Sequence, residues 1–224
     1  MNENFTHSVE LIDGFTDKDG ATHKKVVFGK RLTVKDLMIL DTNPQAQNPT
    51  QYGDLIRRNM ITEFGTMKMP VPITTLLSLN SIDREDLQIT ADSFVELGRG
   101  ERTAEFLEDN KVKLPFGFIV GETEYDVIQF GNLTTGNDEV EADKFGQGLM
   151  RTCFLIGRQI SKISTNDETA AIEGQVDLTT FESLDAESLN LLRVGAELFR
   201  QSFRIERKGV SGKRNGGDSV SSGA

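Results

Sequence analysis

The chain has 224 residues, 27% of them charged and 37% hydrophobic, which is enough for one large domain or two modest ones with packed cores. Its net charge of −10 argues against nucleic acid as the main partner, because phosphate binding needs concentrated Lys and Arg. No run of 18 apolar residues is present to cross a membrane, the opening MNENFTHSVE reads as no signal peptide, and the single Cys153 cannot build a disulfide framework within one chain, which fits a reducing cytoplasm.

In chain order, the first expected element is a hairpin. HSVELIDGF alternates, TDKDGAT is turn chemistry, and HKKVVFG returns. Asp17, Asp19 and Gly20 imitate part of a calcium loop, but Phe15 and Val26 stand where that loop needs carboxylates, so a hairpin turn is favoured. Thr33 with Asp36 three residues on, and Leu32 against Leu37, predict a short helix in VKDLMIL. TQYGDLIRRNMITEF follows as a longer helix capped by Thr50, with Tyr52, Leu55, Ile56, Met60 and Phe64 on one face and Gly65 just past its end.

MKMPVPITTLLSLN, with prolines at 70 and 72, reads as a loop or a short turn of helix. Met67, Met69 and Val71 in it either form an adaptable apolar surface for a partner or fold back on the core. A helix is expected over 83–97, with Asp83 as its cap, Asp86 at N3 and Ile82 stapled to Leu87. The stretch GRGERTAEFLEDNK then breaks that helix at Gly98 and Gly100, and ERTAEFLED could form another.

The second half opens the same way, with KVKLPFGFIV turning through GET into EYDVIQFG. TTGNDEVEAD is a weak helix signal because it contains Gly136. FGQGLMRTCFLIGRQISKI puts Leu149, Cys153, Ile156, Ile160 and Ile163 in helical register and reads as the most buried helix. A last helix is expected over 185–206, capped by Asp185, with Ser188 at N3 and Leu184 stapled to Leu189. The Gly- and Ser-rich RKGVSGKRNGGDSVSSGA reads as a disordered tail.

The halves match each other in order. VELIDGF answers VKLPFGF (9 to 112), VVFGKRLTVKD answers VIQFGNLTTGND (28 to 130), and SIDREDL answers SLDAESL (81 to 183), at offsets of 102 or 103. YGDLIRR and FGQGLMRT (52 to 145) match at 93, through a shorter loop. A diverged tandem duplication follows. The expected fold is α+β: two similar subdomains, each a β-hairpin followed by an amphipathic helix bundle, over 1–98 and 111–206, with a linker at 99–110 and the tail at 207–224.

Catalytic chemistry has little to rest on. His7 and His23 lack metal-ligand spacing, no phosphate-cradling glycine loop occurs, and Cys153 has apolar neighbours instead of a base. No enzyme, cofactor or metal site is expected.

Lys30 to Leu37 (KRLTVKDL) and Leu76 to Phe94 (LLSLNSIDREDLQITADSF) after a short hairpin resemble the tail assembly chaperones of Mu-like long-tailed bacteriophages. The second half keeps this plan less faithfully. The resemblance implies a non-catalytic chaperone in the bacterial cytoplasm that binds the tape measure protein and assists the tail tube protein, with homo-oligomerisation open. The alternative is a structural tail or baseplate component carried in the virion.

Overall fold

Asp17 closes the first turn: its carboxylate accepts the backbone N–H groups of Asp19 (3.0 Å) and Ala21 (2.9 Å), and Gly20 takes a left-handed φ of 85°. The structure, a computed structural model, describes residues 5–211. This turn joins β1 (His7–Thr16) to β2 (Thr22–Phe28), an antiparallel hairpin as expected. Helix α1 (Val34–Asp41) starts behind a reciprocal capping box of Thr33 and Asp36.

Helix α2 (Pro49–Met60) is capped by Asn48 and not by Thr50. The Asn48 side chain accepts the N–H groups of Thr50 and Gln51, and Pro49 at N1 has no N–H to satisfy. The helix ends at Met60, short of the expected Phe64, and the chain continues as strand β3 (Ile61–Phe64) antiparallel to β2. The register slips at Phe28↔Ile61 and leaves Thr62 as an extra residue, so Ile61 and Phe64, three apart, both face the core. That spacing is why a helix pattern fitted.

Helix α3 (Ile73–Leu77) is the short turn expected after the prolines, and α4 (Ser81–Arg99) follows. Its cap is Asn80, which makes Asp83 an N3 residue, contrary to the sequence reading. The linker carries a strand, β4 (Glu105–Leu107), where a helix was considered, because Phe106 pairs with Val112 of β5 (Lys111–Val120).

Beyond β6 (Thr123–Phe130), α5 (Gly136–Ala142) is well formed: Thr135 and Asp138 make a second capping box, and Gly136 sits at N1, ahead of the helix interior where it would cost most. Helix α6 (Leu149–Gln159) stops before Ile160, and β7 (Ile160–Ser164) replaces the expected continuation, again with a register slip, at Phe130↔Ile160. Strand β8 (Ala171–Glu173), α7 (Leu178–Phe181) and α8 (Ala186–Ser211) complete the described chain. The helix thus runs on to Ser211, past the expected start of the tail at 207, and the rest of that tail lies outside the described residues.

The fold is α+β, with sheets ordered β1-β2-β3 and β4-β5-β6-β7-β8. Each subdomain is a hairpin, a helix that returns a third strand to it, and a closing helix. Corresponding residues carry the same devices. Gly14 and Gly117 sit in the hairpin bulges, where an added Cβ would strike the carbonyl of His23 or Tyr125 on the facing strand. Phe28 packs on Phe94 (ring centroids 6.4 Å apart) and Phe130 on Phe199 (5.9 Å).

The closing helices align three residues away from the SIDREDL/SLDAESL match. Asn80 and Asp185 precede their helices, Asp83 corresponds to Ser188, and the buried Leu87, Ala91 and Phe94 correspond to Leu192, Ala196 and Phe199, an offset of 105 throughout. The repeated phrase is therefore out of structural register.

The subdomains are welded by an exchange of residues. Val34 of the first is buried in the core of the second beside Leu184 and Leu189, and Ala186 of the second packs on the core of the first.

Candidate functional site

The Met/Pro loop lies down on its own subdomain. Met67 and Met69 are half-buried against the first core, and Val71 is buried outright, so Val71 offers no surface to a partner. Arg58 fixes the loop by donating Nε–H to the Val71 carbonyl at 2.5 Å. Changing Met67 and Met69 together to Ser should therefore destabilise by about 1–3 kcal/mol, since partial burial of each thioether is lost. A thermal melt checks this; an unmoved Tm would mean that the two side chains contribute nothing to the core.

His23 is buried beneath the same loop. Its Nε2 lies 2.9 Å from the Asp17 carboxylate, and its Nδ1 faces the backbone N–H of Thr66 at 3.4 Å. The His23 ring and the Ala21 N–H hold the Asp17 carboxyl below its usual range. Asp17 is thus a staple of the hairpin turn.

Asp83, which does not cap α4, and Asp185, which does cap α8, each hold more than a helix start. Asp83 is buried, and its carboxylate accepts the backbone N–H groups of Ile12 (2.7 Å), Asp13 (3.3 Å) and Gly14 (2.8 Å), so it ties the first turn of α4 to the β1 bulge. Asp185 does cap α8, accepting the Glu187 N–H at 2.9 Å. It also receives both arms of Arg31 from the other subdomain, at 3.0 and 3.2 Å. Arg31 further reaches Glu187 (3.4 Å), donates to the Val95 carbonyl (3.0 Å) and lies 4.1 Å from the centre of the Phe116 ring.

Three backbone bonds complete this seam, from Val34 N–H to the Leu184 carbonyl (2.7 Å), from Lys35 N–H to the Glu182 carbonyl (3.4 Å) and from Ala186 N–H to the Leu32 carbonyl (3.0 Å). Asp41 adds a further link by accepting the N–H of Leu149 at the start of α6 (3.0 Å). Arg31 and Asp41 carry structural weight that the sequence reading missed. Their only signal was membership of the KRLTVKDL stretch and the acidic residue closing α1.

Cys153 lies buried in α6, and that burial pushes its thiol up to about 12. A thiol held neutral and covered should not react with Ellman's reagent in the native protein and should react fully in denaturant; rapid native labelling would contradict the burial. Among the described residues, no three His, Cys, Asp or Glu side chains converge as a metal site.

An open surface lies between α6 and α8. A groove of 540 Å³ is floored by Leu155, Ile156 and Val194 and flanked by Arg193, Glu197 and Arg200. Val194 and Leu198, one helical turn apart on α8, are about half exposed, at 49% and 47%. Their spacing places both on one face of the helix. An apolar floor with charges of both signs beside it can take an amphipathic helix, with its apolar stripe inward.

No described helix is long and apolar enough to cross a membrane. No protein-family model, curated protein or solved structure matches the chain.

Proposed function

We propose that this protein is a non-catalytic binding protein, a phage tail assembly chaperone that holds helical, apolar segments of the tape measure protein in the groove between α6 and α8. The observation that carries the reading is the exposed Val194–Leu198 stripe beside the 540 Å³ groove between α6 and α8. The partner's identity rests on the resemblance of Lys30–Leu37 and Leu76–Phe94 to the chaperone pattern. An acidic chain suits the task, because net charge keeps a complex with an apolar partner dispersed.

The test is co-expression with the tape measure protein. The partner should become soluble and co-purify, and V194E together with L198E should abolish co-purification while leaving the melt within about 0.5 kcal/mol of the original, as for surface changes generally. A tape measure protein that stays insoluble, or that binds the double variant equally well, overturns the reading. Detection of the chain in stoichiometric amounts in purified particles would instead support the structural tail component.

A further inference from the structure

The seam between the subdomains joins unlike faces: the start of α1 in the first meets the start of α8 in the second. Both subdomains possess both faces, so a heterologous contact of this kind leaves one of each over. The leftovers are the start of α5 in the second subdomain and the start of α4 in the first.

Their residues correspond position by position. At the hairpin-to-α1 offset of 102, Arg31 becomes Leu133 and Met38, which packs on the second core, becomes Val140. At the closing-helix offset of 105, Glu187 becomes Ile82 and Asp185 becomes Asn80. The ion pair of Arg31 with Glu187 therefore maps onto Leu133 with Ile82. Charge has been replaced by apolar surface on both sides at once, and both replacements face solvent, Leu133 at 40% and Ile82 at 55% exposure. Val140, the counterpart of Met38, is 68% exposed.

The backbone is also free to repeat the seam. Gly136 N–H, Thr134 C=O, Ser81 N–H and Leu79 C=O stand where Val34, Leu32, Ala186 and Leu184 make the two shorter of the three cross-seam bonds. Among the described residues, these four groups make no backbone hydrogen bond outside their own elements. Gly136 lacks the side chain that Val34 buries, so the repeated contact is smaller and weaker than the seam.

We infer that a second copy of this chain occupies these faces, the start of α5 of one copy docking on the start of α4 of the next, head to tail, in the arrangement the seam already shows. Because both leftover faces are exposed in one chain, the contact does not close within the molecule. Association then runs to further copies or to a ring. This holds whichever partner the α6–α8 groove takes.

Sedimentation velocity on the full chain, over concentrations up to about 1 mM, the weak end of specific association, tests it. The unaltered chain should sediment faster as concentration rises. L133R or I82E alone should give the 24.8 kDa single chain throughout, with unchanged circular dichroism, and L133R with I82E should associate again, because the pair recreates the ion pair of the seam. V140E, on the same face as Leu133, replaces L133R if that variant misfolds. A native chain that stays single at all concentrations, single variants that associate as the native does, or a paired variant that remains single would each overturn the inference.

Discussion

Asp83→Ala should lower the unfolding free energy by about 3–5 kcal/mol, since three backbone donors lose a charged acceptor and each orphaned group costs about 1–3 kcal/mol. Ile12, Asp13 and Gly14 lie in the bulge between the paired Glu10 and Phe15, and Asp83 accepts the N–H of each. The control is Asn80→Ala, which removes the true cap of α4 and should cost only about 1 kcal/mol. Urea unfolding of both variants separates the two roles. Equal losses would mean that Asp83 acts as an ordinary helix-start residue, as capping preferences alone imply.

Asp83 marks the boundary of what could be read from the chain. A carboxylate near a helix start is visible in sequence, and both closing helices were expected from it. What selects Asp83 as a link to β1 is a contact between residues about seventy positions apart, and no local pattern encodes that. The α+β class, both hairpins and the helix starts at Thr33 and Asp185 follow from turn chemistry, alternation and capping, which are local. The helix-to-strand switches at Met60/Ile61 and Gln159/Ile160 were hidden because the bulge at each switch gives the strand a helix-like spacing of apolar residues. SIDREDL and SLDAESL misled for a related reason. Two staples look alike at any shift that pairs acid with acid, whereas the buried faces align only when Leu87 is set on Leu192. The groove between α6 and α8 had one sequence signal, Val194 and Leu198 on a helix whose other face is core.

Arg31→Ala should be similarly damaging, by about 3–5 kcal/mol, because it leaves Asp185 buried without its partner and breaking one side of a buried pair costs about that much. Arg31 also spans the seam, touching Asp185, Glu187, Val95 and Phe116 from a single side chain. Its loss should loosen one subdomain from the other, so that urea unfolding of the variant broadens or splits and a single two-state transition no longer describes it. Pairing it with a second change distinguishes attraction from desolvation. Arg31→Met with Asp185→Leu replaces charge by apolar volume and should recover most of the loss, since such swaps are often neutral. Recovery should stop about 1 kcal/mol short, because Asp185 also caps α8 through the Glu187 N–H. If Arg31→Ala alone costs less than about 1 kcal/mol, the pair behaves like an exposed surface bridge. The subdomains would then be held by Val34, Ala186, the three backbone bonds between them, the Lys35–Glu182 ion pair and the Asp41 link to α6.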